Sequence, residues 1–336
     1  CVNGWAIQQT FDEDESSFKA TDKTEAATLM NRLYELSKYT IKATNQDLFV
    51  DSQARERAAY EGDLLVNSNT SYAMSGNYSL ARHSNEWLID NPTWPNDYSL
   101  FSVEMAYWDY IYTGNTDSIS EQYEALKKKL TVKMDGAADE SGLIRVKGSQ
   151  AGGTSLIDWP TSERDGYVGS TYDVVINSEY VGIYNRMAQI SEALGNTEDA
   201  AAYMEKADQL KSTLIQYAYD EENGCFYDSL DGNKNPTKHS SMHATAYALN
   251  YGVYTDQDMA DRMAKFVYGK CEEQFTGSVY VTYFILNGLY QSGNGDLAER
   301  LLTNPKTGDG VKTYANLLDN LNCTITPEAW GPTYKS

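Results

Sequence analysis

The densest group of residues that could do chemistry lies between Asp51 and Asp63, where six of thirteen side chains are charged. If this segment is helical from Ser52, then Glu56, Tyr60 and Asp63 lie on one face, at offsets of four and seven residues. Two carboxylates beside an aromatic ring suit acid–base chemistry on a sugar. The simpler interpretation is a solvated helix face, whose Glu/Arg pairs would contribute little.

Two further segments combine a carboxylate with a tryptophan. Asp158 and Trp159 lie in a long glycine-rich stretch, which predicts either a sugar-binding platform at the mouth of a cavity or a loop anchored by its indole. Glu328 and Trp330 lie near the end of the chain, where flanking prolines stiffen the backbone. Taken alone, this second segment favours an exposed tail.

The histidines and cysteines do not predict a metal site. His239 and His243 are four residues apart, but the chain has only three histidines, and its four cysteines show no CxxC spacing. We expect one of this pair to bond a helix start and the other to contact the site. An ordinary core histidine is the alternative. The motifs of serine hydrolases, zincins and P-loop proteins are missing from the sequence.

Composition excludes several classes of partner. The 336 residues carry 27 basic and 48 acidic side chains, a net charge of −21. Such a chain lacks the basic footprint that a nucleic acid or an anionic membrane requires, and no apolar stretch reaches the ~18 residues of a membrane span. The 27 tyrosines are unusually many, and rings with a hydrogen-bonding edge suit carbohydrate sites.

Helical periodicity dominates the elements that must position these residues. Leu29, Leu33 and Leu36 recur at helical spacing behind a capping box formed by Asp22 and Glu25. Similar patterns give about twelve helical segments in all. The others lie near 53–73, 78–90, 100–111, 118–134, 180–194, 197–218, 240–251, 259–267, 278–292, 295–303 and 309–321.

Strand signals are local, at residues 5–9 and 224–229, and residues 135–172 form the longest non-helical piece. Successive helical hairpins predict either an open solenoid of the tetratricopeptide type or a closed (α/α)6 barrel. Because no period of about 34 residues recurs along the chain, we expect the all-α (α/α)6 barrel, a toroid of six helical hairpins, as a single domain.

Taken together, these segments resemble the catalytic domain of the family 78 glycoside hydrolases, the α-L-rhamnosidases. The likeness covers nearly the whole chain, and its first and last motifs are the specific ones. The residues that carry it are Asp51 through Asp63, Thr93-Trp94-Pro95, Tyr112-Thr113-Gly114-Asn115, Asp158-Trp159-Pro160, Arg164-Asp165-Gly166-Tyr167, Ser241-Met242-His243-Ala244, Tyr280-Val281, Leu286 through Tyr290 and Thr326-Pro327-Glu328-Ala329-Trp330.

The resemblance implies an (α/α)6 barrel that hydrolyses terminal α-L-rhamnose with inversion of configuration, without a metal or an organic cofactor. It makes Glu56 the general acid and Glu328 the general base, which an inverting enzyme holds roughly 6.5–9.5 Å apart. Trp159 would lie near the 6-deoxy methyl group of the sugar. The substrate-binding residues that we expect are Asp51, Arg55, Tyr60, Asp63, Trp159, His243 and Trp330.

The resemblance also implies a domain organisation and partners. Tyr60 stands where many family members carry tryptophan, so we expect a subsite of different shape. Residues 1–22 are expected to lead in from an upstream β module, and residues 23–336 to form the barrel without its last segment. Accessory β-sandwich domains, a rhamnose-containing glycoside as substrate and an extracellular or periplasmic location complete the expectation.

Two other functions remain open at this point. One is a different (α/α)6 glycosidase or a lyase, although a uronate substrate would call for a cluster of basic residues. The other is a non-catalytic helical module that binds carbohydrate. That last interpretation predicts that Glu56 and Glu328 do not face each other across a cavity, and a separation of more than about 12 Å would exclude the inverting mechanism.

Overall fold

The computed structural model describes residues 5–10, 15–52, 55–76, 78–130, 138–145 and 155–331, with side chains from residue 18 onward. Twelve helices lie in these ranges: α1 (Glu25–Thr44), α2 (Glu61–Met74), α3 (Ser79–Asp90), α4 (Tyr98–Thr113), α5 (Asp117–Lys129), α6 (Val174–Ala193), α7 (Thr197–Ala218), α8 (Met242–Asn250), α9 (Gln257–Cys271), α10 (Thr282–Gln291), α11 (Gly295–Leu302) and α12 (Tyr314–Asp319).

The strands are short and pair as antiparallel two-stranded sheets. The first sheet, ahead of α1, is a hairpin, and the other two are two-residue pairs beside the barrel. The strands are β1 (Trp5–Thr10), β2 (Glu15–Ala20), β3 (Tyr172–Asp173), β4 (Tyr219–Asp220), β5 (Cys225–Phe226) and β6 (Ser229–Leu230).

The twelve helices form six hairpins around a common core. The even-numbered helices from α2 to α10 pack side by side in succession, and each contacts the odd-numbered helix that precedes it in the chain or follows it. All nine residues of α8 are buried, whereas α9 buries one face, which is the difference between an inner and an outer helix. The expected (α/α)6 barrel is confirmed.

The last hairpin packs against the first, so the helices form a ring. An apolar cluster joins Leu29, Leu33 and Leu36 of α1 to Ala315 of α12. Arg32 and Asp319 form an ion pair of 2.7 Å across the same contact. The solenoid alternative is therefore wrong, because its two ends would not meet.

Most of the predicted helices are present, with two local corrections. The helix expected at 197–218 has those bounds, but the one expected near 53–73 begins only at Glu61. The first helix is capped by Thr24, whose side chain accepts from the Ala27 amide, and not by Asp22. Among the described helices, none combines the length and the apolar character that crossing a bilayer requires.

Candidate active site

The charged segment after Asp51 is an irregular loop in place of the expected helix. The Asp51 amide donates to the Ala58 carbonyl, and the Asp51 carboxylate accepts from the Ala58 amide, each at 2.9 Å. These two bonds close the loop, and Arg57 takes a left-handed conformation with φ +54°. Arg55 and Glu56 of this loop line the cavity without a shared helix face.

The loop borders a cavity of about 180 Å³ at the amino-terminal ends of the inner helices. The starts of α2, α4 and α10 contribute or adjoin lining residues, and the partial positive charge of a helix start favours nearby carboxylates. The residues that line the cavity are Asp51, Arg55, Glu56, Tyr60, Asp63, Trp94, Pro95, Tyr98, Leu156, Trp159, Ser278, Tyr280 and Glu328.

Seven of the nine expected site residues line this cavity. Nine of the lining residues fall into two groups by chemistry. We call Asp51, Arg55, Glu56, Asp63 and Glu328 the acidic wall, and Trp94, Tyr98, Trp159 and Tyr280 the aromatic wall.

Arg55 joins the two glutamates that are 272 positions apart in the sequence. Its Nη1 lies 2.6 Å from Glu56 Oε1, and its Nη2 lies 2.6 Å from Glu328 Oε2. Because both nitrogens belong to one planar guanidinium group with C–N bonds of about 1.33 Å, the two oxygens lie within about 8 Å of each other. Glu56 and Glu328 thus belong to one site.

Burial and mutual repulsion shift the ionisation of the acidic wall. Burial, together with the charges of Asp51 and Glu328, raises the pKa of Asp63 to about 7. Burial, followed by a hydrogen bond to Glu56, raises the pKa of Tyr60 to about 12. At neutral pH, Asp63 therefore holds a proton much of the time and can donate a hydrogen bond to a sugar hydroxyl.

The aromatic wall contains residues that the sequence did not single out. Trp94 is 55% exposed and Trp159 is 44% exposed, so each offers a ring face to the cavity. Tyr98 packs so tightly on Gly62 that a Cβ there would lie 2.4 Å from its Cζ. The signals for Trp94 and Tyr280 were present in Thr93-Trp94-Pro95 and Tyr280-Val281, but Tyr98, at the start of α4, looks like any other core residue.

His243 and Trp330 were expected to contact substrate, and the structure places both outside the cavity lining. His243 is fully buried, and its Nε2 lies 2.7 Å from Asp158 Oδ2. The Trp330 indole is buried against Phe275, with ring centroids 5.4 Å apart, and its Nε1 donates to the Gly277 carbonyl at 2.8 Å. Both side chains support the residues behind the site.

Metal ligands are not grouped in the part of the chain that the structure describes. Within it, no set of three histidine, cysteine, aspartate or glutamate side chains is placed to hold a metal ion. Cys225, Cys271 and Cys323 are free thiols.

A family model matches nearly the whole chain. The model of the bacterial α-L-rhamnosidase six-hairpin glycosidase domain matches residues 15–333. The chain belongs to this family. As a rhamnosidase-type glycosidase domain, it has the fold that the resemblance implied. No curated protein sequence matches the chain.

Solved structures share the barrel at low sequence identity. A family 78 rhamnosidase of Bacillus sp. GL1 matches with TM-score 0.76 and 21% identity over 94% of this chain and 32% of that chain. A Klebsiella oxytoca rhamnosidase with rhamnose bound matches with TM-score 0.75 and 14% identity over 95% of this chain and 61% of that chain. A family 63 mannosylglycerate hydrolase of Thermus thermophilus matches with TM-score 0.57 and 11% identity over 79% and 88%. The chain thus spans one third to three fifths of the two rhamnosidases.

Proposed function

We propose that this chain hydrolyses terminal α-L-rhamnosyl bonds with inversion, using Glu56 as general acid and Glu328 as general base. The observation that carries the proposal is the bridge through Arg55, which brings the two glutamates to one cavity. Their oxygens lie within about 8 Å of each other, a limit that includes the lower part of the roughly 6.5–9.5 Å of an inverting pair and also the shorter spacing of a retaining pair, so the choice of inversion rests on the family resemblance. The interpretation as a non-catalytic module predicted that the two would not meet.

In the proposed reaction, Glu56 gives its proton to the glycosidic oxygen as the bond from C1 to that oxygen breaks. Glu328 takes a proton from a water molecule, whose oxygen attacks C1 from the opposite face. Arg55 orients both carboxylates before the sugar arrives, which lowers the entropic cost of reaching the reactive geometry.

The two walls suit a deoxy sugar. Asp51 and Asp63 would bond its ring hydroxyls, and the indole of Trp159 would cover its apolar face and methyl group. Arg55 is the sole basic residue among the thirteen that line the cavity in the described part of the chain, and two carboxylates already hold it. A uronate would find no free cation there, which argues against the lyase and uronyl-hydrolase alternatives.

The test is release of nitrophenol from nitrophenyl α-L-rhamnoside, with other nitrophenyl glycosides as specificity controls. We expect selective hydrolysis of the rhamnoside, and a loss of about 10²–10⁴-fold in kcat for Glu328→Gln. The matched control is Glu273→Gln, an exposed glutamate that pairs with Lys306. Hydrolysis of another glycoside in preference to the rhamnoside, or an active Glu328→Gln variant, would contradict the proposal.

A further inference from the structure

Asp158 is a buried carboxylate whose two oxygens accept hydrogen bonds from three other residues. Its Oδ2 accepts from His243 Nε2 at 2.7 Å and from the Ser278 amide at 3.0 Å. Its Oδ1 accepts from the Trp159 amide at 2.8 Å and from the Ser278 hydroxyl. The side chain is fully buried, so it does not reach a substrate directly.

Two of these partners line the cavity from different parts of the chain. Trp159 follows Asp158 directly, and Ser278 lies in the connection before α10. Because one carboxylate accepts hydrogen bonds from both, it fixes the backbone that carries the indole relative to Ser278. Arg164 adds a bond from its Nε to the Asp158 carbonyl at 2.7 Å, which holds the same turn from outside.

A second contact connects the neighbourhood of Asp158 to the segment that carries Glu328. Gly277 precedes Ser278 with φ +113°, and a Cβ there would lie 2.4 Å from Val281 Cγ1, so only glycine fits. Its carbonyl accepts from Trp330 Nε1, two residues beyond Glu328. The chain of contacts therefore runs from the general base of the proposed reaction to the aromatic wall.

We propose that Asp158 is a positioning residue, which acts through Trp159 and Ser278 to hold the aromatic wall of the sugar-binding cavity in place. His243 and Trp330 help Asp158 in this role. His243 bonds the Asp158 carboxylate, and Trp330 donates to the carbonyl of Gly277, the residue before Ser278. This inference rests on the proposed function for its kinetic consequence, but its structural consequence, a fixed Trp159 indole, is independent of any activity.

Asp228 provides a matched control within the same fold. It is equally buried and also bonds a histidine, with His239 Nδ1 at 2.5 Å from its Oδ2. It accepts from the amides of Val168 at 2.9 Å and Ser241 at 2.7 Å. These partners do not line the cavity. A purely structural effect of losing a buried carboxylate would therefore be the same in both variants.

The kinetic test compares Asp158→Asn with Asp228→Asn on nitrophenyl α-L-rhamnoside. Asparagine has only one acceptor oxygen, and its NH2 group is a donor, so it cannot accept all the hydrogen bonds that the two carboxylate oxygens accept. We expect kcat/KM to fall about fivefold to tenfold in Asp158→Asn, mostly through a raised KM, because a displaced indole contacts the sugar less well. Asp228→Asn should stay within about twofold of the wild type. Equal KM values in the two variants would overturn the proposal.

The structural test uses chains labelled with 5-fluorotryptophan, whose ¹⁹F resonances report each indole separately. The Trp159 resonance is assigned from Trp159→Phe. We expect it to shift or split in Asp158→Asn and to stay unchanged in Asp228→Asn. If the wild type hydrolyses no rhamnoside, the proposed function fails, and this measurement alone decides the positioning role. An unmoved Trp159 resonance in Asp158→Asn would overturn it.

If Asp158→Asn does not fold, Trp330→Phe carries the same test. Phenylalanine keeps the stacking on Phe275 but removes the donor to the Gly277 carbonyl. We expect a smaller change in the same direction, with KM raised about threefold and the Trp159 resonance displaced. A Trp330→Phe variant with unchanged KM and an unchanged Trp159 resonance would contradict the proposal.

Discussion

The acidic wall and the aromatic wall of the cavity are built in opposite ways. The acidic wall combines four carboxylates with one arginine, Arg55, which pairs with its neighbour Glu56 and with the distant Glu328 and keeps 37% of its side chain exposed. The aromatic wall is held from behind by buried carboxylates that accept backbone and hydroxyl hydrogen bonds. One wall can change its charges with pH or ligand, whereas the other is fixed by the fold.

Three carboxylates support the aromatic wall. Glu61 accepts from the Thr93 amide at 3.2 Å, next to Trp94. Asp97 accepts from the amides of Leu156 and Ile157, and Asp158 holds the turn that follows. Buried hydrogen bonds to a charged group are among the stronger ones. The comparison teaches that carboxylates can serve two purposes around one cavity: structural support behind the aromatic wall and, in the proposed reaction, acid–base chemistry in the acidic wall.

The largest effect is expected from a substitution of Glu56 in the acidic wall. In Glu56→Gln, kcat for an alkyl α-L-rhamnoside should fall about 10²–10⁴-fold, because a poor leaving group needs the proton. A dinitrophenyl rhamnoside should lose much less, since its leaving group is stable as an anion. Steady-state kinetics on both substrates measure the ratio. Equal losses on the two would remove Glu56 from the role of acid.

A smaller loss should follow from Arg55→Lys. Lysine keeps the charge but cannot bond two carboxylates through a planar fork, so both glutamates lose their orientation. We expect kcat/KM to fall about tenfold to a hundredfold. The control is Arg82→Lys, which breaks an Arg–Asp pair of 2.9 Å outside the cavity and should leave kcat/KM unchanged. Similar kinetics in the two variants would mean that the bridge has no catalytic role.

Removing a ring from the aromatic wall should affect binding more than rate. An exposed aromatic contact is worth about 0.5–1.5 kcal/mol, so Trp159→Ala and Trp94→Ala should raise KM up to about tenfold with little loss of stability. Trp87→Ala is the control, because Trp87 is 41% exposed on α3 and lies outside the cavity. A KM that rises equally in all three would show that the wall is not specific.

The smallest effect concerns stability and arises from Asp63. Between about pH 4 and pH 7 the folded chain holds a proton on this carboxyl that the unfolded chain has released, so its contribution to stability falls as pH rises through that window. Asparagine does not titrate in this range, so Asp63→Asn removes the loss of stability that the Asp63 carboxyl causes as pH rises. Urea unfolding should show the variant gaining about 1–3 kcal/mol on the wild type between pH 4.5 and pH 8. A difference that stays constant with pH would contradict the raised pKa.

How far the sequence predicts this molecule depends on whether the relevant contacts are local. Thr197–Ala218 could be predicted to the residue, because helical periodicity and a preceding glycine are local signals. The loop before Glu61 could not, because its residues suit a helix, and the bond from Arg55 to Glu328 joins positions 273 apart in the sequence.

The same limit applies to the candidate site. Residue types and motif spacing were enough to place seven side chains in the cavity. They were not enough for His243 and Trp330, because a histidine or a tryptophan suits both a sugar and a core. Burial decides between these roles, and it depends on packing between segments far apart in sequence.

The most direct test of the central claim is ¹H NMR of the sugar released in the first minutes of hydrolysis of an α-L-rhamnoside. The account predicts that β-L-rhamnose appears first and that the α anomer follows by mutarotation, because water attacks from the face opposite the leaving group. Initial release of α-L-rhamnose would contradict it and would require a covalent intermediate and two carboxylates about 5–5.5 Å apart.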